Sequence, residues 1–428
     1  MRIKYSAGQK VAQFLGLGVL GVLGGGACLG GTYRGVASAL HSLDGELAHR
    51  AAVWALGRGF YFRGRASHRG ELEVEFWGIK FGNTVGIVAG FDKHGEAVQG
   101  LADIGFVEVG SVTPLAQEGN PKPRVFRLDS DEAVLIRYGF NSEGLEAVRD
   151  RLEIVKKRGF GGVLGVNLGK NKTSPSASED YAAGVKLFGS LADYLAINIS
   201  SPNTPGLRSL QEKEDLRLLI KAVLLARKEL GLSHPPPILV KIAPDLTDED
   251  KADTAEVVMA PDTRVDGLVF SNTTFTRPAT LSSPRRGETG GMSCAPLTTL
   301  STTTIRDMYR LTSGKLPIVG VGLVSSGQDA WEKVLAGASL VQLYSALVYQ
   351  GPSVVNRVRR ELAELLDFSE FSNIQEAVGA EHRKERKKER RKSSIRLELG
   401  KEGGGDKVER WEVYNVRLGA SPLIQMCQ

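Results

Sequence analysis

Eight short apolar runs recur along the chain, and longer stretches with helical periodicity separate them. Strands that alternate with helical patterns are typical of βαβ units around a parallel sheet. Eight such units predict a closed (β/α)8 barrel, the α/β TIM-barrel fold, whose active site lies at the C-terminal ends of the strands. The runs begin near Val85, Phe106, Gly162, Tyr194, Ile238, Gly267, Ile318 and Leu340.

Polar or glycine-rich residues follow seven of these runs, and a lysine lies near the end of another. Because the C-terminal ends of barrel strands open on one side, we expect these residues to converge in a single pocket. They are Gly90-Phe91-Asp92-Lys93, Gly110-Ser111, Asn167-Leu168-Gly169-Lys170-Asn171, Asn198-Ile199-Ser200-Ser201, Lys241-Ile242-Ala243, Ser271-Asn272-Thr273, Gly320-Val321-Gly322 and Tyr344-Ser345.

The N-terminus carries a targeting signature. It is basic and free of acidic residues before Asp44, which is typical of mitochondrial targeting sequences. Residues 11–31 are uncharged and mostly apolar, about the length that a membrane span needs. We expect a targeting segment and transmembrane anchor in residues 1–35. A cleaved secretory signal peptide is the alternative, but the run is long for one.

Residues 36–70 predict two short amphipathic helices. One group of apolar residues at helical spacing is Val36, Leu40, Leu43 and Leu47, and the other is Ala52, Leu56, Phe60 and Tyr61. Packing against the barrel explains this pattern, and so does a vestibule that docks on a membrane directly after the span. The sequence leaves these two interpretations open.

The composition changes abruptly after residue 380. Residues 381–396 hold nine Lys or Arg against three Glu, a net charge of +6 that equals the net charge of the whole chain. The basic pI of the chain therefore reflects the charge of this one segment and not the charge of the barrel. Such a run is usually solvated, although it can also contact nucleic acid or anionic lipid. We expect residues 381–428 to be a disordered tail that binds no nucleic acid.

Cysteine and histidine usage excludes two kinds of site. The three cysteines are scattered and odd in number, which argues against a disulfide framework. No Cys/His pair has the spacing of zinc ligands, so we expect no metal.

Ser201 lies in a run of serines and amides that follows the fourth apolar run. A nucleophilic serine would need a histidine base, yet of six histidines only His94 sits at a strand end. Acyl transfer is therefore disfavoured. Proton abstraction beside a planar substrate held by amides is the second interpretation, and turn formation by Ser-Pro-Asn-Thr-Pro-Gly is the third.

Lys241 and Gly322 suggest an anionic ligand. A lysine inside an apolar barrel strand needs a partner, through a Schiff base, a carboxylate or negative charge on a cofactor. The nearest acid in its own motif is Asp245, beyond the strand, so we favour cofactor charge. Glycine-rich ends such as Gly320-Val321-Gly322 suit a phosphate, which barrel enzymes often bind after strands seven and eight.

These motifs together resemble class 2 dihydroorotate dehydrogenases, the mitochondrial, quinone-dependent class. The resemblance is dense and runs from about residue 43 to 383. It is carried by Gly90-Phe91-Asp92-Lys93-His94-Gly95, Gly110-Ser111-Val112-Thr113-Pro114, Arg137-Tyr138-Gly139-Phe140-Asn141, Asn167-Leu168-Gly169-Lys170-Asn171, Ser200-Ser201-Pro202-Asn203-Thr204, Val240-Lys241-Ile242-Ala243-Pro244-Asp245 and Ser271-Asn272-Thr273-Thr274.

The resemblance implies oxidation of (S)-dihydroorotate to orotate in pyrimidine biosynthesis, with FMN as cofactor and ubiquinone as electron acceptor. It makes Ser201 the catalytic base. The implied substrate residues are Lys93, Arg137, Tyr138, Gly139, Phe140, Asn198, Asn203, Asn272 and Thr273. The implied FMN residues are Ala89, Gly90, Lys93, Ser111, Asn167, Asn198, Lys241, Ser271, Gly322, Tyr344 and Ser345. The implied quinone residues are His49, Arg127 and Tyr344.

The chain departs from the family pattern at four places. Ile136 replaces a substrate-binding asparagine, Leu323 replaces a glycine of the phosphate loop, and Cys294 replaces a glycine that contacts FMN. The segment around Gly105–Glu108 is two residues shorter. A Cβ obstructs backbone approach to a phosphate, and a positive φ at leucine would cost roughly 1–2 kcal/mol.

We therefore predict a monomeric flavoenzyme with its barrel in residues 71–380, anchored by a single span in the mitochondrial inner membrane. The alternative is a catalytically impaired barrel that serves as a membrane-bound interaction protein. A fumarate- or NAD-linked enzyme fits less well, because the anchor and Ser201 both indicate quinone.

Overall fold

The computed structural model describes residues 42–59 and 70–384. The chain divides into two compact units after Ala380, and the first contains the barrel. The predicted membrane span and nearly all of the basic tail lie outside the described residues. No helix among the described residues is both long and apolar enough to cross a membrane.

Eight parallel strands form a closed barrel, as the apolar runs predicted. Their spatial order follows the chain, and the last strand pairs with the first through Val341 opposite Val85 and Leu343 opposite Ile87. The strands are Val85–Ile87, Phe106–Val112, Val163–Leu168, Tyr194–Asn198, Ile238–Ile242, Gly267–Phe270, Ile318–Gly320 and Leu340–Leu343. Their side chains are buried almost throughout, because helices cover the outside of the barrel and side chains fill the inside.

Two small sheets extend the barrel. Val74–Phe76 and Ile79–Phe81 form an antiparallel pair, and Trp77 between them donates a hydrogen bond to the carbonyl of Asp266 at 2.8 Å. The second sheet is antiparallel and consists of Val125–Leu128, Ala133–Ile136 and Gly291–Cys294. This sheet carries two of the predicted departures, Ile136 and Cys294, on neighbouring strands.

Helices connect the strands and begin at residues that suit helix starts. Thr247 and Ser326 each form a capping box with an aspartate three residues later. The helices are Gly45–Gly57, Leu145–Lys157, Ala177–Phe188, Lys213–Lys228, Asp248–Met259, Thr298–Leu311, Gly327–Ala336, Ser345–Gln350, Ser353–Asp367 and Ile374–Ala377. Short 3-10 turns cover Gly70–Leu72, Val98–Ile104, Asp129–Asp131, Arg208–Gln211 and Ala295–Leu297.

The helix Gly45–Gly57 joins the N-terminal segment to the barrel. Leu47 and Ala52, assigned by the sequence to separate helices, both lie in this one helix, so the boundary between the two predicted helices is not where the sequence analysis placed it. Val36, Leu40, Phe60 and Tyr61 of the two predicted helices lie outside the described residues. Asp44 caps the helix by accepting hydrogen bonds from the backbone N–H groups of Glu46 and Leu47. Val53 and Leu56 belong to the main hydrophobic core. Packing against the barrel therefore accounts for this apolar face.

A buried ion pair also fixes this helix. The guanidinium of Arg124 binds the carboxylate of Glu46 through two hydrogen bonds of 2.9 Å, and both residues are 6% exposed. Lys122 adds a contact of 3.1 Å. Burial alone would raise the pKa of Glu46, but the hydrogen bonds and charges of Arg124 and Lys122 hold that pKa below its usual value.

Glu46→Gln should lower the free energy of unfolding by roughly 3 kcal/mol, because it leaves the Arg124 guanidinium buried without its counter-charge. Urea denaturation of the purified protein measures this change. Glu146→Gln is the matched control, since it removes an exposed carboxylate paired with Arg149 and should cost less than about 0.5 kcal/mol. Equal losses for the two variants would contradict a stabilising role for the buried pair.

Candidate active site

One cavity opens at the C-terminal ends of the barrel strands, and most of the predicted site residues line it. These are Ala89, Gly90, Lys93, Ser111, Tyr138, Gly139, Phe140, Asn198, Ser201, Asn203, Lys241, Ser271, Asn272, Thr273, Gly322, Tyr344 and Ser345. The departures Ile136 and Leu323 line the same cavity. The parallel barrel brings these residues together because every strand contributes its C-terminal end to one opening.

Hydrogen-bonded amides and hydroxyls form one wall. The amide of Asn198 donates to Ser111 Oγ at 2.9 Å and to Asn167 Oδ1 at 3.2 Å. Ser111 also donates to Asn167 Oδ1. On the other side, Asn272 donates to Asn198 Oδ1 at 3.2 Å and to Ser200 Oγ at 3.0 Å. Asn167 is fully buried behind Ser111, so it supports the wall without lining the cavity.

Lys241 pairs with a carboxylate that the sequence analysis missed. Its Nζ lies 3.8 Å from Oε1 of Glu108, which is 0% exposed. Asp245, considered earlier as the nearest acid, binds Arg208 instead. Glu108 also accepts hydrogen bonds from Asn167 at 2.9 Å and from two further donors, Gln342 at 3.0 Å and Tyr194 at 3.1 Å. Burial lowers the pKa of Lys241, and the charge of Glu108 opposes that change.

Glu108 had one detectable signal in the sequence, an acidic residue in the middle of an apolar strand. Its donors come from three other strands of the barrel, so their convergence is visible only after the barrel closes. Tyr194 reaches the interior because its ring lies over Gly165, where a Cβ atom would come within 2.1 Å of it.

Lys93 is the second lysine of the cavity. Its Nζ donates to Asn141 Oδ1 at 2.8 Å and lies 3.8 Å from the ring centroid of Tyr138. Burial and the nearby charge of Arg124 lower the pKa of Lys93 to about 7, while Glu46 opposes the shift. The amine is therefore partly protonated at neutral pH, and an anionic ligand in the cavity would favour its charged form.

Ser201 faces the cavity without a histidine partner. Its Oγ accepts a hydrogen bond from the backbone N–H of Asn203 at 3.4 Å, and Asn203 donates from its amide to the carbonyl of Ile136 at 3.0 Å. No histidine of the described residues lines the cavity. The serine–histidine arrangement of acyl transfer is therefore absent from this part of the chain.

Two buried polar atoms of the cavity have no hydrogen-bond partner among the described residues. They are Ser271 Oγ and Gln342 Oε1, and both residues line the cavity. Buried polar groups are nearly always hydrogen-bonded, so these atoms indicate a bound polar ligand. At Gly90, a Cβ atom would meet only the Tyr344 ring, at 3.9 Å, which leaves space for a flat ligand above the backbone.

The loop after Ile318–Gly320 has the backbone predicted for a phosphate site, with one misfit. Gly322 has φ +102°, and a Cβ atom there would lie 2.9 Å from Ser301. Leu323 has φ +26°, on the positive side that L residues avoid. The expectation that leucine would be strained at this position is confirmed by its backbone.

Besides Asn167, three predicted residues lie outside the cavity lining. Arg137 donates to Glu288 at 2.8 Å and to Thr289 Oγ1 at 3.1 Å, and it stacks on Phe126. The guanidinium of Arg137 therefore supports the neighbouring loop rather than the cavity wall.

The other two residues, His49 and Arg127, lie at the N-terminal helix Gly45–Gly57: His49 is part of it, and Arg127 contacts Leu43 just before it. The His49 ring packs against Phe91 and Tyr344, with its Nδ1 3.4 Å from the Tyr344 hydroxyl. Burial lowers the pKa of His49 to about 4, so the ring is neutral near pH 7. Arg127 donates to the carbonyl of Leu43 at 2.5 Å. Tyr344 thus connects the cavity to the helix Gly45–Gly57.

The dihydroorotate dehydrogenase family model matches residues 71–366 of this chain. The chain belongs to that family. A curated mouse protein, dihydroorotate dehydrogenase (quinone), mitochondrial, is 56% identical over 349 residues, covering 80% of this chain and 88% of the mouse protein. Dihydroorotate dehydrogenase (quinone) of Rhodospirillum rubrum is 50% identical over 346 residues, covering 80% of this chain and 92% of its own length.

Solved structures of the same family superpose on the fold. Dihydroorotate dehydrogenase of Eimeria tenella in complex with ferulenol is 43% identical with a TM-score of 0.77, covering 79% of this chain and 96% of that chain. The ligand-free form of the same enzyme gives a TM-score of 0.76. The resemblance inferred from the motifs is confirmed, and the family match covers nearly the whole predicted barrel.

Leu323→Gly should be more stable than Leu323→Ala by roughly 1 kcal/mol. Both variants remove the side chain, but only glycine adopts a positive φ without strain. The usual order in helices and strands is the reverse, with alanine more stable than glycine by about 0.5–1 kcal/mol. Chemical denaturation of the two proteins gives the comparison, and an alanine variant as stable as the glycine variant would show that the loop carries no strain.

Proposed function

We propose that this chain oxidises (S)-dihydroorotate to orotate with bound FMN and passes the electrons to a quinone. The observation that supports this most is the convergence of Ser201, Lys93 and the amides of Asn198 and Asn272 in one cavity that also contains Lys241. A substrate with a carboxylate and a urea-like edge needs this combination of charge and amides. The quinone assignment follows the names of the curated relatives.

FMN fits the residues that are present. Ser271 Oγ and Gln342 Oε1 lack partners, Gly90 leaves open space, and the Gly322 loop suits a phosphate. When bound, FMN supplies the acceptor for the hydride that leaves C6 of dihydroorotate. We assign its binding to Ala89, Gly90, Lys93, Ser111, Asn167, Asn198, Lys241, Ser271, Gly322, Tyr344 and Ser345.

Lys241 provides positive charge on the cofactor side of the cavity. The Glu108 carboxylate at 3.8 Å favours its protonated form despite complete burial. A fixed positive charge in a site of low dielectric stabilises negative charge that develops during reduction. The preference for cofactor charge over a Schiff base remains our proposal for this lysine.

The substrate is held by the amides and by Lys93. Asn198, Asn203, Asn272 and Thr273 present donors and acceptors to the cavity, and Lys93 pairs with the substrate carboxylate. Ser201 removes the proton from C5 as the hydride leaves C6. We assign Ser201 as the general base because the family resemblance implies it, and its hydroxyl faces the cavity.

We propose that quinone reoxidises the flavin near Tyr344, where the cavity lining meets the N-terminal helix. His49 of the helix Gly45–Gly57 contacts Tyr344 of the cavity lining, and Arg127 donates to the carbonyl of Leu43 just before that helix. The His49 ring is neutral near pH 7. We propose that residues 36–70 form a vestibule for ubiquinone and that residues 1–35 target and anchor the protein in the mitochondrial inner membrane.

A catalytically impaired barrel is the second candidate function. It is favoured by Leu323 at φ +26° in the phosphate loop and by Ile136 where an amide would contact substrate. Neither change touches Ser201, Lys93 or Lys241. The two candidates differ in whether the purified protein binds flavin and reduces it.

Anaerobic addition of dihydroorotate to the purified chain should bleach its flavin absorbance. Ser201→Ala should keep the flavin but slow bleaching by at least ~100-fold, since a positioned general base contributes 10²–10⁴ in rate. Ser209→Ala is the control, because Ser209 follows in the same segment and bonds only to the carbonyl of Gly206. Colourless protein would support the impaired barrel, and coloured protein that does not bleach would place the defect at the substrate site.

Ile136→Asn should lower the dissociation constant for dihydroorotate by roughly tenfold, since it offers a hydrogen bond to a substrate group that isoleucine leaves unpaired. Titration of the oxidised protein with orotate gives the same comparison without turnover. Ile136→Val, which stays apolar, should leave both constants unchanged. Unimproved binding in the asparagine variant would remove residue 136 from the substrate site.

A further inference from the structure

Lys333 is a buried lysine that the function proposed above does not use. It belongs to the helix Gly327–Ala336 and is 0% exposed. Its Nζ donates to Thr302 Oγ1 at 3.0 Å and to Ser301 Oγ at 3.3 Å. Both partners are neutral hydroxyl groups on the helix Thr298–Leu311.

No carboxylate of the described residues forms an ion pair with this amine. Asp329, on the same helix, accepts hydrogen bonds from Ser325 and Ser326 at its N-terminal end. Glu332 accepts a hydrogen bond from Gln328. A buried ammonium is costly without a counter-charge, so an anion near Lys333 would stabilise its charged form.

The lysine lies directly behind the loop of the predicted phosphate site. Its Cδ is 3.4 Å from the place where a Cβ atom of Gly320 would lie. Its partner Ser301 donates a hydrogen bond to the carbonyl of Val321. Ser301 Oγ also lies 2.9 Å from the position of a Cβ atom on Gly322, and Val321 and Gly322 both line the cavity. One hydroxyl therefore separates the amine from the loop backbone.

We propose that Lys333 is a positioning residue of the flavin site whose charge, transmitted through Ser301 and the Val321–Leu323 loop, selects flavins that carry a phosphate. This inference rests on the flavin-binding function proposed above. The expected ligand is a dianionic phosphate monoester, which adds negative charge near an amine that no carboxylate of the described residues contacts directly.

The physical argument combines charge and hydrogen bonding. A unit charge in a water-poor interior acts over several ångströms with little screening. Two successive hydrogen bonds, from the Lys333 ammonium to Ser301 and from Ser301 to the Val321 carbonyl, point in the same direction. They therefore polarise the loop backbone. Burial lowers the pKa of Lys333 to about 7, and the charges of Asp329 and Glu332 oppose that shift. A dianion bound at the loop would favour the protonated amine further.

The test compares FMN with riboflavin, which has the same ring system but no phosphate. The full chain is purified in detergent, stripped of flavin, and titrated with each compound while flavin fluorescence is followed. For Lys333→Met we expect the FMN dissociation constant to rise roughly tenfold, while that of riboflavin changes by less than about twofold. Lys333→Arg retains the charge and should keep most of the preference for FMN.

Two further variants separate charge from packing. Lys333→Gln preserves a hydrogen-bond donor toward Ser301 and Thr302 without the charge, and it serves if the methionine variant does not fold. Lys251→Met is the matched control, because that buried lysine already pairs with Asp248 at 3.0 Å and Asp307 at 2.7 Å. It should leave the ratio of the two flavin affinities unchanged.

Equal weakening of FMN and riboflavin in the methionine and glutamine variants would overturn the inference, because it would reduce Lys333 to a packing role. An unchanged FMN affinity would overturn it as well. Both results leave the flavoenzyme assignment intact. A wild-type chain that binds neither compound would overturn the flavin-binding function and this inference together.

Discussion

Closure of the parallel barrel is the constraint on which the rest of the structure depends. The pairing of Leu340–Leu343 with Val85–Ile87 completes a ring in which every strand ends on the same side. Closure also creates an interior that must be filled and electrically balanced. The pair Glu108–Lys241, with its donors from other strands, satisfies that requirement below the cavity. This ion pair is thus part of the barrel interior.

The charges around the site are organised in two separate groups. Lys241 has a carboxylate partner inside the barrel, whereas Lys93 interacts with Asn141 and Tyr138. Arg124 stacks on the same tyrosine and is itself paired with Glu46 of the helix Gly45–Gly57. The N-terminal helix therefore contributes to the electrostatic environment of Lys93 as well as to packing.

Two of the departures from the family pattern, Ile136 and Leu323, lie in the cavity lining. Ile136 removes a polar group, and Leu323 brings a Cβ atom into a loop with positive φ. Ser201, Lys93 and Lys241 are retained in the same cavity. Substitutions of this kind affect ligand binding more directly than the reaction itself. Flavin affinity and substrate affinity are therefore the quantities that measure their effect.

The sequence alone determined the eight strands, their order and most of the cavity residues. This was possible because strand periodicity is local and the ends of parallel strands must meet once the barrel closes. Tertiary structure decided the rest. It paired Lys241 with Glu108 rather than leaving the lysine to a cofactor alone, directed Arg137 toward Glu288, and placed Leu47 and Ala52 in one helix, Gly45–Gly57. It also placed Lys333 behind the Gly322 loop. Each of these depends on side chains distant in sequence or on how a segment packs, which no local pattern encodes.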